Sequence, residues 1–238
     1  MPAPYGLEIV ENCSTCSWKS PGFFCHLAPP ALKSFEEVKY ASSYPTNAVL
    51  FVEGQVPRGV YLLCKGRVKL TMTSSDGKAL ILHIAEPGEL IGVNNAMSGT
   101  PYELSAEMLE PGQVNFIKRE AFLRLVREHP EVSAHVTNQI SHDYQAACFQ
   151  IRSLGLSRTA SEKIVRFLLE AAAKGKETNQ GIRINLALTH EEVAQIVGVS
   201  RETVTRTLTE LRCKMLIAVK GPTVMIRNKP ALEAMLAT

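Results

Sequence analysis

The 238-residue chain lacks the features that mark membrane and secreted proteins. No apolar run approaches the ~20 residues needed to span a bilayer. The first residues, MPAPYGLEIVEN, lack the basic start and apolar core of a secretory signal. We therefore expect a cytoplasmic protein with no membrane partner. In that compartment thiols stay reduced, so clustered cysteines favour metal or redox roles over structural disulfides.

A convincing catalytic constellation is also lacking. The six histidines are scattered, and no Ser/His/Asp set, phosphate-binding loop or carboxylate pair has suitable spacing. We therefore expect that the protein is not an enzyme. A cysteine-rich metal-binding protein and a binding module whose helices serve only protein contacts remain as alternatives. The second leaves the basic helix face described below unexplained.

The net charge of +3 is unevenly distributed. Residues 155–238 contain 13 Lys and Arg against 8 Asp and Glu, whereas residues 1–154 contain 13 against 15. The final third is therefore basic (+5) and the rest slightly acidic (−2). Such an imbalance indicates an anionic partner such as nucleic acid, although only weakly.

Short β-branched runs between about Lys39 and Lys118 predict about eight strands. Lys65-Gly66 and Asp76-Gly77 are hairpin signals, because glycine accepts a positive φ. Many short strands with frequent turns are typical of a compact barrel or jelly roll.

The pattern becomes helical at Arg119. A short amphipathic helix, REAFLRLVREH, is followed by a longer one from Pro130, with Gly155 as its predicted end. Apolar residues recur along the second helix at spacings of three and four, which indicates a coiled-coil seam and hence a homodimer. The alternative is that this helix packs on its own domain. The predicted dimer interface consists of Val136, Ile140, Tyr144, Ala147 and Ile151.

The most informative segment begins at Thr189, after a helix from about Ser157 to Lys174 and a strand, GIRINLAL. Thr189 and Glu192 form a capping box, Gly198 ends that helix, and Ser200 can cap a second one. Helix, tight glycine turn and helix in this order predict a helix-turn-helix. Two further strands around Lys220-Gly221-Pro222 then predict a wing.

The second helix has two faces. Val204, Leu208 and Leu211 share the predicted core face, and a polar face carries Arg201, Glu202, Thr205, Arg206 and Thr209. Arg pairs with two acceptors of guanine, Glu accepts from cytosine, and Thr contacts phosphate or a thymine methyl group. The alternative is a solvent-exposed helix whose charged side chains bind no partner. The sequence instead favours a major-groove reader, with Ser200, Thr203, Thr189 and Lys220 as the predicted phosphate contacts.

From about Tyr40 to Asn228, this order of elements resembles the CRP/FNR family (cAMP receptor protein / fumarate–nitrate regulator) of bacterial transcription factors. VSRETVTR resembles the recognition helix of that family. The resemblance implies double-stranded DNA and RNA polymerase as partners. It also implies base reading by Arg201, Glu202 and Arg206, and an inverted repeat read by a two-fold dimer with recognition helices about 34 Å apart. By analogy, the cAMP-receptor branch would read a half-site containing GTGA.

The fold class expected from these signals is α+β. It combines an N-terminal β-roll (a jelly roll like that of cyclic-nucleotide-binding domains), a long dimerisation helix and a C-terminal winged helix-turn-helix. The expected divisions are a cysteine-containing arm (1–30), a β-roll effector domain (31–118), the dimerisation helix region (119–155) and the DNA-binding domain (156–238).

The resemblance places an effector pocket between the β-roll and the long helix. Its cAMP-binding branch uses Gly-Glu for the ribose, Arg for the phosphate and Thr-Ser for the base. The matching positions here are Gly92-Val93, Leu104 followed by Ser105, and Cys148-Phe149. Because Leu cannot bind a cyclic phosphate, cAMP is not the expected effector. A different small molecule in this pocket remains an alternative.

Three of the six cysteines fall within NCSTCSWKSPGFFCHL: Cys13, Cys16 and Cys25. The fumarate–nitrate branch holds a [4Fe–4S] cluster with three such cysteines and a fourth, whose matching position here is Asn115. Cys64 could substitute as the fourth ligand, and His26 beside Cys25 could complete a zinc site. Free redox-active thiols are the alternative. The alternative for Cys64 is a small buried apolar residue, and Cys148 and Cys213 are expected to be packing residues.

Overall fold

The computed structural model describes residues 4–6, 8–19, 22–156, 159–173 and 175–236. The chain divides into two compact units, Met1–Ala146 and Ala147–Thr238. Each unit has its own hydrophobic core. Within the described ranges, no helix is long and apolar enough to cross a membrane.

Two antiparallel four-stranded sheets form the β-roll of the first unit. One sheet has the order β1-β8-β3-β6 and the other β2-β7-β4-β5. The eight strands in the segment predicted to be β-rich are β1 (Lys39–Tyr44), β2 (Val49–Phe51), β3 (Gly59–Leu63), β4 (Arg67–Thr73), β5 (Ala79–Ala85), β6 (Leu90–Ile91), β7 (Ser105–Glu110) and β8 (Gly112–Lys118).

Both predicted glycine turns are confirmed. Gly66 and Gly77 have φ of 90° and 83°, in the left-handed region that favours glycine. Gly66 joins β3 to β4, and Gly77 joins β4 to β5. At Gly66 the backbone also passes so close to Glu110 that an added Cβ would lie 2.9 Å from its carbonyl oxygen.

Four helices accompany the roll: α1 (Pro29–Val38), α2 (Val93–Ser98), α3 (Arg119–Glu128) and α4 (Pro130–Leu156). Ala121, Phe122 and Leu125 of α3 are buried against the roll, which confirms the amphipathic reading of this segment. Gly155 lies inside α4, so the prediction that it ends the helix is wrong. A single glycine is tolerated in a helix at a cost of about 1 kcal/mol relative to alanine.

The N-terminal segment is part of the core of the first unit. A short 3₁₀ turn, Phe23–Cys25, buries Phe24, which packs with Leu27 and with Ala31 and Phe35 of α1. Upstream, Val10 and Gln113 exchange two hydrogen bonds of 2.8 Å between the backbone of Val10 and the side-chain amide of Gln113. The segment predicted to be a separate arm is therefore fastened to the β-roll.

The second unit contains the predicted helix-turn-helix and wing. Its helices are α5 (Ala160–Ala173), α6 (His190–Val197), α7 (Arg201–Cys213) and α8 (Lys229–Ala234). Its sheet has the order β11-β12-β10-β9, with β9 (Lys176–Thr178), β10 (Gly181–Asn185), β11 (Ile217–Lys220) and β12 (Thr223–Ile226). Strand β10 ends before the predicted Leu188, and the predicted ends of α5 at Ser157 and Lys174 lie outside the described residues.

Candidate functional site

Three local signals position the helix-turn-helix, and all three are confirmed. The backbone N–H of Glu192 donates to Thr189 Oγ1 at 3.1 Å, and the Thr189 N–H donates back to the Glu192 carboxylate at 2.6 Å. Gly198 ends α6 in the left-handed conformation, with φ of 66°. Ser200 Oγ then accepts from the Thr203 N–H at 3.2 Å and starts α7.

Helix α7 has the two faces that its sequence predicts. Val204, Leu208 and Leu211 are buried in the core of the second unit. The opposite, exposed face lines an open depression of ≈ 430 Å³. We call this depression the α7 surface; its residues are Arg201, Glu202, Thr205, Arg206, Thr209 and Glu210.

The charges on the α7 surface are available to a ligand. Neither Arg201 nor Arg206 forms an ion pair with any residue that the structure describes. The pKa of Glu202 is lowered, first by its own backbone N–H and then by the Ser200 hydroxyl, so this side chain is an anionic acceptor at neutral pH. Guanidinium donors therefore stand beside a carboxylate acceptor, as base-edge recognition requires.

His190 also belongs to this surface, although the sequence analysis did not single it out. It is the first residue of α6, and its Nδ1 lies 2.9 Å from Thr205 Oγ1 on α7. Thr205 Oγ1 in turn donates to the Arg201 carbonyl oxygen at 3.0 Å. A histidine one position after the cap of the first helix is the signal that could have revealed it.

The predicted phosphate contacts occupy three different settings. The hydroxyls of Thr189 and Ser200 act as helix caps, and Thr203 Oγ1 lies 3.0 Å from Ser200 Oγ. Lys220 is exposed at the end of β11, where Gly221 and Pro222 form the turn of the predicted wing. The three hydroxyls are therefore engaged locally, whereas the ammonium of Lys220 extends from the wing.

The four candidate metal-binding cysteines converge on one region of the first unit. The Cys13 thiol packs against the same core as Cys64. Burial is the main cause that raises the pKa of Cys64 to about 12, and the thiols of Cys13, Cys25 and Cys16 raise it further. The pKa of Cys13 is raised by burial as well, while nearby Lys39 lowers it. We call these four residues the thiol cluster.

Contacts with charged side chains hold the thiol cluster in place. Glu36 accepts from the backbone N–H groups of Cys13 and Ser14 at 2.8 and 3.2 Å. Lys39 donates to the Glu11 carbonyl oxygen. The Lys65 ammonium lies 4.5 Å from the centroid of the Trp18 ring. As the side chains are placed, no three His, Cys, Asp or Glu residues within the described ranges are grouped as ligands of one metal ion.

The residues of the predicted effector pocket are divided between the two units. Gly92 is the left-handed residue before α2, Val93 is buried in the core, and Leu104 is half-buried. Ser105 Oγ accepts from the Glu53 N–H at 3.0 Å. Cys148 belongs to the second unit, and the side chain of Phe149 lies outside the described residues.

The predicted seam on α4 has two different halves. Val136 is only 1% exposed and packs in the core of its own unit with Ile140 beside it, so assigning Val136 to a dimer interface is wrong. Tyr144 and Ile151 are each 70% exposed, and Ala147 is exposed too. Cys148 and Cys213 are also exposed, so the expectation that they are packing residues is wrong.

Comparison with known proteins identifies the family of this chain. A family model described as "Cyclic nucleotide-binding domain" matches residues 41–129, and one described as "Crp-like helix-turn-helix domain" matches residues 162–235. Together the two matches span more than half of the chain. The chain belongs to the CRP/FNR family. It is thus a DNA-binding transcription regulator, and the relatives that it matches are regulators rather than enzymes.

Curated CRP/FNR relatives resemble this chain along most of its length. The "CRP-like cAMP-activated global transcriptional regulator" of Mycobacterium tuberculosis is 24% identical over 212 residues, which are 89% of this chain and 94% of that protein. The "Transcriptional activatory protein AadR" of Rhodopseudomonas palustris is 26% identical over 230 residues, 95% of this chain and 94% of that protein.

Solved CRP/FNR structures share the fold. FixK2 from Bradyrhizobium japonicum has a TM-score of 0.73 at 23% identity, covering 84% of this chain and 98% of that one. A mutant of CooA from Carboxydothermus hydrogenoformans has a TM-score of 0.75 at 22% identity, covering 87% of this chain and 89% of that one. These likenesses support the β-roll and helix-turn-helix architecture of the two units.

Proposed function

We propose that this CRP/FNR regulator is a homodimer that binds an inverted-repeat DNA site through two α7 surfaces. The observation that carries the proposal is the exposed face of α7, where Arg201, Glu202 and Arg206 line one depression. Arg can bond guanine O6 and N7 together, and Glu can accept from the cytosine amino group. A half-site containing GTGA, which the cAMP-receptor branch of the family would read, offers both groups in its G·C pairs.

The exposed half of the α4 seam supports the dimer. Tyr144, Ala147 and Ile151 are spaced three and four residues apart on a helix of 27 residues. Two large apolar side chains at 70% exposure on one stripe are typical of a surface that a second helix covers. A two-fold dimer would place its two recognition helices about 34 Å apart, one turn of DNA.

Binding to a duplex with two inverted GTGA-containing half-sites tests the proposal. Replacing Arg206 with Ala is expected to cost about 1–3 kcal/mol of binding free energy, or ~5- to 150-fold in affinity, and to relax the preference at one base. Arg183→Ala is the charge-matched control, because Arg183 lies on β10 and does not line the α7 surface. Fluorescence anisotropy with cognate and scrambled duplexes measures both effects. Unchanged affinities of the Arg206 variant for both duplexes would refute the proposal.

We further propose that the thiol cluster senses the signal by holding an iron–sulfur cluster. Four thiolates are the usual ligand set of such a cluster, and Cys13 and Cys64 pack against the same hydrophobic core. The family favours iron–sulfur over zinc, because its fumarate–nitrate branch holds such a cluster. An iron–sulfur cluster would supply a charged, redox-sensitive group at this point.

Protein purified without oxygen distinguishes the possible forms of this sensor. A brown protein with broad visible absorption, about four iron atoms per chain and matching sulfide would support the cluster. One zinc ion per chain and no iron would instead indicate that the thiol cluster holds a structural zinc ion. A colourless, metal-free protein would leave reversible thiol oxidation, or a small molecule in the β-roll pocket, as the signal.

We also propose that cAMP is not the effector. Half-buried Leu104 stands where the cAMP-binding branch places the arginine that binds phosphate, and an aliphatic side chain cannot compensate a phosphate charge. Isothermal titration should therefore detect no cAMP binding at concentrations that saturate a cAMP-binding relative. A cytoplasmic location and contact with RNA polymerase complete the proposal, because a bacterial transcription regulator acts where its DNA and polymerase are.

A further inference from the structure

One face of the sheet β1-β8-β3 lies beneath the N-terminal segment. Asn115 of β8 is paired with Ala41 of β1 and with Leu62 of β3. The Cys64 N–H donates to the Gln113 carbonyl oxygen, so Cys64 lies across from Gln113, diagonal to Asn115. Because directly paired residues point to the same side and the side alternates along a strand, Asn115, Gln113 and Cys64 share one face.

The hydrogen bonds on this face determine the orientation of the two amides. The Val10 N–H donates to Gln113 Oε1, so the Gln113 Nε2 group must be the donor on the other side of that amide. Gln113 Nε2 donates to the Val10 carbonyl oxygen at 2.8 Å and to Asn115 Oδ1 at 3.4 Å. Asn115 Oδ1 is thereby the acceptor, and Asn115 Nδ2 points away from Gln113.

Asn115 Nδ2 is a buried donor without a hydrogen-bond partner in the part of the chain that the structure describes. The Asn115 residue is only 1% exposed. A buried amide N–H without an acceptor destabilises a protein, so native structures rarely leave one without a water, an ion or a ligand to accept from it. The nearby Gln113 amide is 2% exposed and fully engaged, so burial alone does not explain the difference.

The thiol cluster lies on the same side of the sheet as this donor. Cys64 is the diagonal neighbour of Asn115, at a typical Cβ separation of about 7–8 Å or less. Cys13 packs against the core that contains Leu62, the direct pairing partner of Asn115. The Lys39 ammonium donates to the carbonyl oxygen of Glu11, two residues before Cys13, so it adds positive charge near the thiols. A cation and an amide donor at one place suit an anionic sulfur acceptor.

We propose that Asn115 donates a hydrogen bond from Nδ2 to a sulfur atom of a thiophilic metal centre, which Cys13, Cys16, Cys25 and Cys64 hold. Asn115 is then a positioning residue that fixes and tunes the centre without ligating a metal atom. The inference rests on the proposed sensor, since it requires a centre. Iron–sulfur clusters and zinc share the necessary chemistry, an anionic sulfur that accepts a hydrogen bond.

The variant Asn115→Leu separates this role from a structural one. In metal-free protein, leucine removes the donor that lacks a partner, at the cost of the long 3.4 Å hydrogen bond from Gln113 Nε2 to Asn115 Oδ1. The thermal unfolding midpoint should therefore rise, or fall by less than in Gln113→Leu. In the loaded protein the same change removes a hydrogen bond to sulfur. The reduction potential of an iron–sulfur centre should then shift to a lower value, because the lost donor stabilised the more negative reduced state. If the centre is zinc, release to a chelator should become faster.

Gln113→Leu is the matched control. It removes an amide of similar burial on the same strand face, but one that bonds Val10 in the described chain. It should lower the unfolding midpoint of metal-free and loaded protein alike. Asn115→Asp tests whether the interaction with sulfur is attractive. A carboxylate of the same shape repels an anionic sulfur, so this change should weaken the centre more than leucine does.

The outcomes separate the two proposals. Metal in the wild type, with an unchanged potential or chelator release rate in Asn115→Leu, would overturn the role of Asn115 and leave the sensor intact. Wild-type protein that binds neither iron nor zinc when purified without oxygen would overturn both. Loss of stability in metal-free Asn115→Leu equal to that in Gln113→Leu would show Asn115 to be structural.

Discussion

At the scale of single residues, His190 and Thr205 determine how the α7 surface is presented. The imidazole of His190, on α6, holds the hydroxyl of Thr205, on α7, at 2.9 Å. This contact ties the N-terminal residue of the first helix to the middle of the DNA-reading face. Under the proposed DNA-binding role of the α7 surface, His190 would influence specificity by restricting the rotamer of Thr205.

A double-mutant cycle on this pair provides a direct test. His190→Ala and Thr205→Ala should each weaken DNA binding, and their effects should be coupled by about 0.5–1.5 kcal/mol, as for an ordinary hydrogen bond. The measurement is DNA affinity for the two single variants and the double variant. Strictly additive effects would mean that the imidazole and hydroxyl act on DNA independently.

Another histidine, His135, makes the first unit sensitive to pH. Its ring stacks on Phe23 with centroids 4.3 Å apart and meets Phe24 edge to face at 5.6 Å. Burial lowers the pKa of His135. The N-terminal segment therefore packs on α4 through a neutral imidazole.

The sign of the pH effect follows from this lowered pKa. As pH falls below the unfolded value of about 6.5, the unfolded chain takes up a proton that the folded unit resists, so stability decreases toward acid. His135→Leu should remove this part of the pH dependence of the thermal unfolding midpoint. An unchanged slope in His135→Leu would show that the stacked ring titrates as it does in the unfolded chain.

At the scale of elements, helix α4 serves two purposes along its length. Its first half fills the core of the first unit through Val136 and Ile140, and Tyr144 and Ile151 leave that core. Coiled-coil spacing continues across both halves, so periodicity could not show where one role ends. The residues expected to govern association are those beyond Ile140.

Replacing Ile151 with Glu places a charge on the exposed half of this stripe. It should convert a dimer to a monomer in analytical ultracentrifugation, with little change in the unfolding midpoint of the first unit, because Ile151 is not part of that core. Val136→Glu should instead unfold the first unit, since it buries an unpaired charge. A dimer that tolerates Ile151→Glu would place the interface elsewhere.

At the scale of the whole molecule, the charge distribution predicts how DNA binding responds to salt. The basic residues concentrate in the final third of the chain, and Lys220 extends from the wing. Each phosphate that a lysine neutralises contributes about one to the slope of log affinity against log salt. Lys220→Ala should lower the magnitude of that slope by about one while reducing affinity equally for cognate and scrambled duplexes. A changed sequence preference would instead make Lys220 a base contact.

The sequence by itself determined the helix-turn-helix and its polar face. Each of its signals depends on residues no more than a few positions apart, so the pattern can be recognised locally. These signals are the caps at Thr189 and Ser200, the left-handed Gly198, and the exposed Arg201 and Arg206. The β-roll was predictable as a class for the same reason, because turn glycines and alternating strands are local signals. The register of its strands was not, because pairing depends on distant segments.

Only the tertiary structure decided what surrounds the cysteines. Asn115 is 51 residues from Cys64 and about 100 from Cys13 in sequence, yet β-pairing and the docked N-terminal segment bring their elements to one face. The same packing buried Val136, left Cys148 and Cys213 exposed, and gave Asn115 Nδ2 no partner among the described residues. Burial and hydrogen-bond satisfaction are properties of the assembled neighbourhood, so no spacing along the chain encodes them.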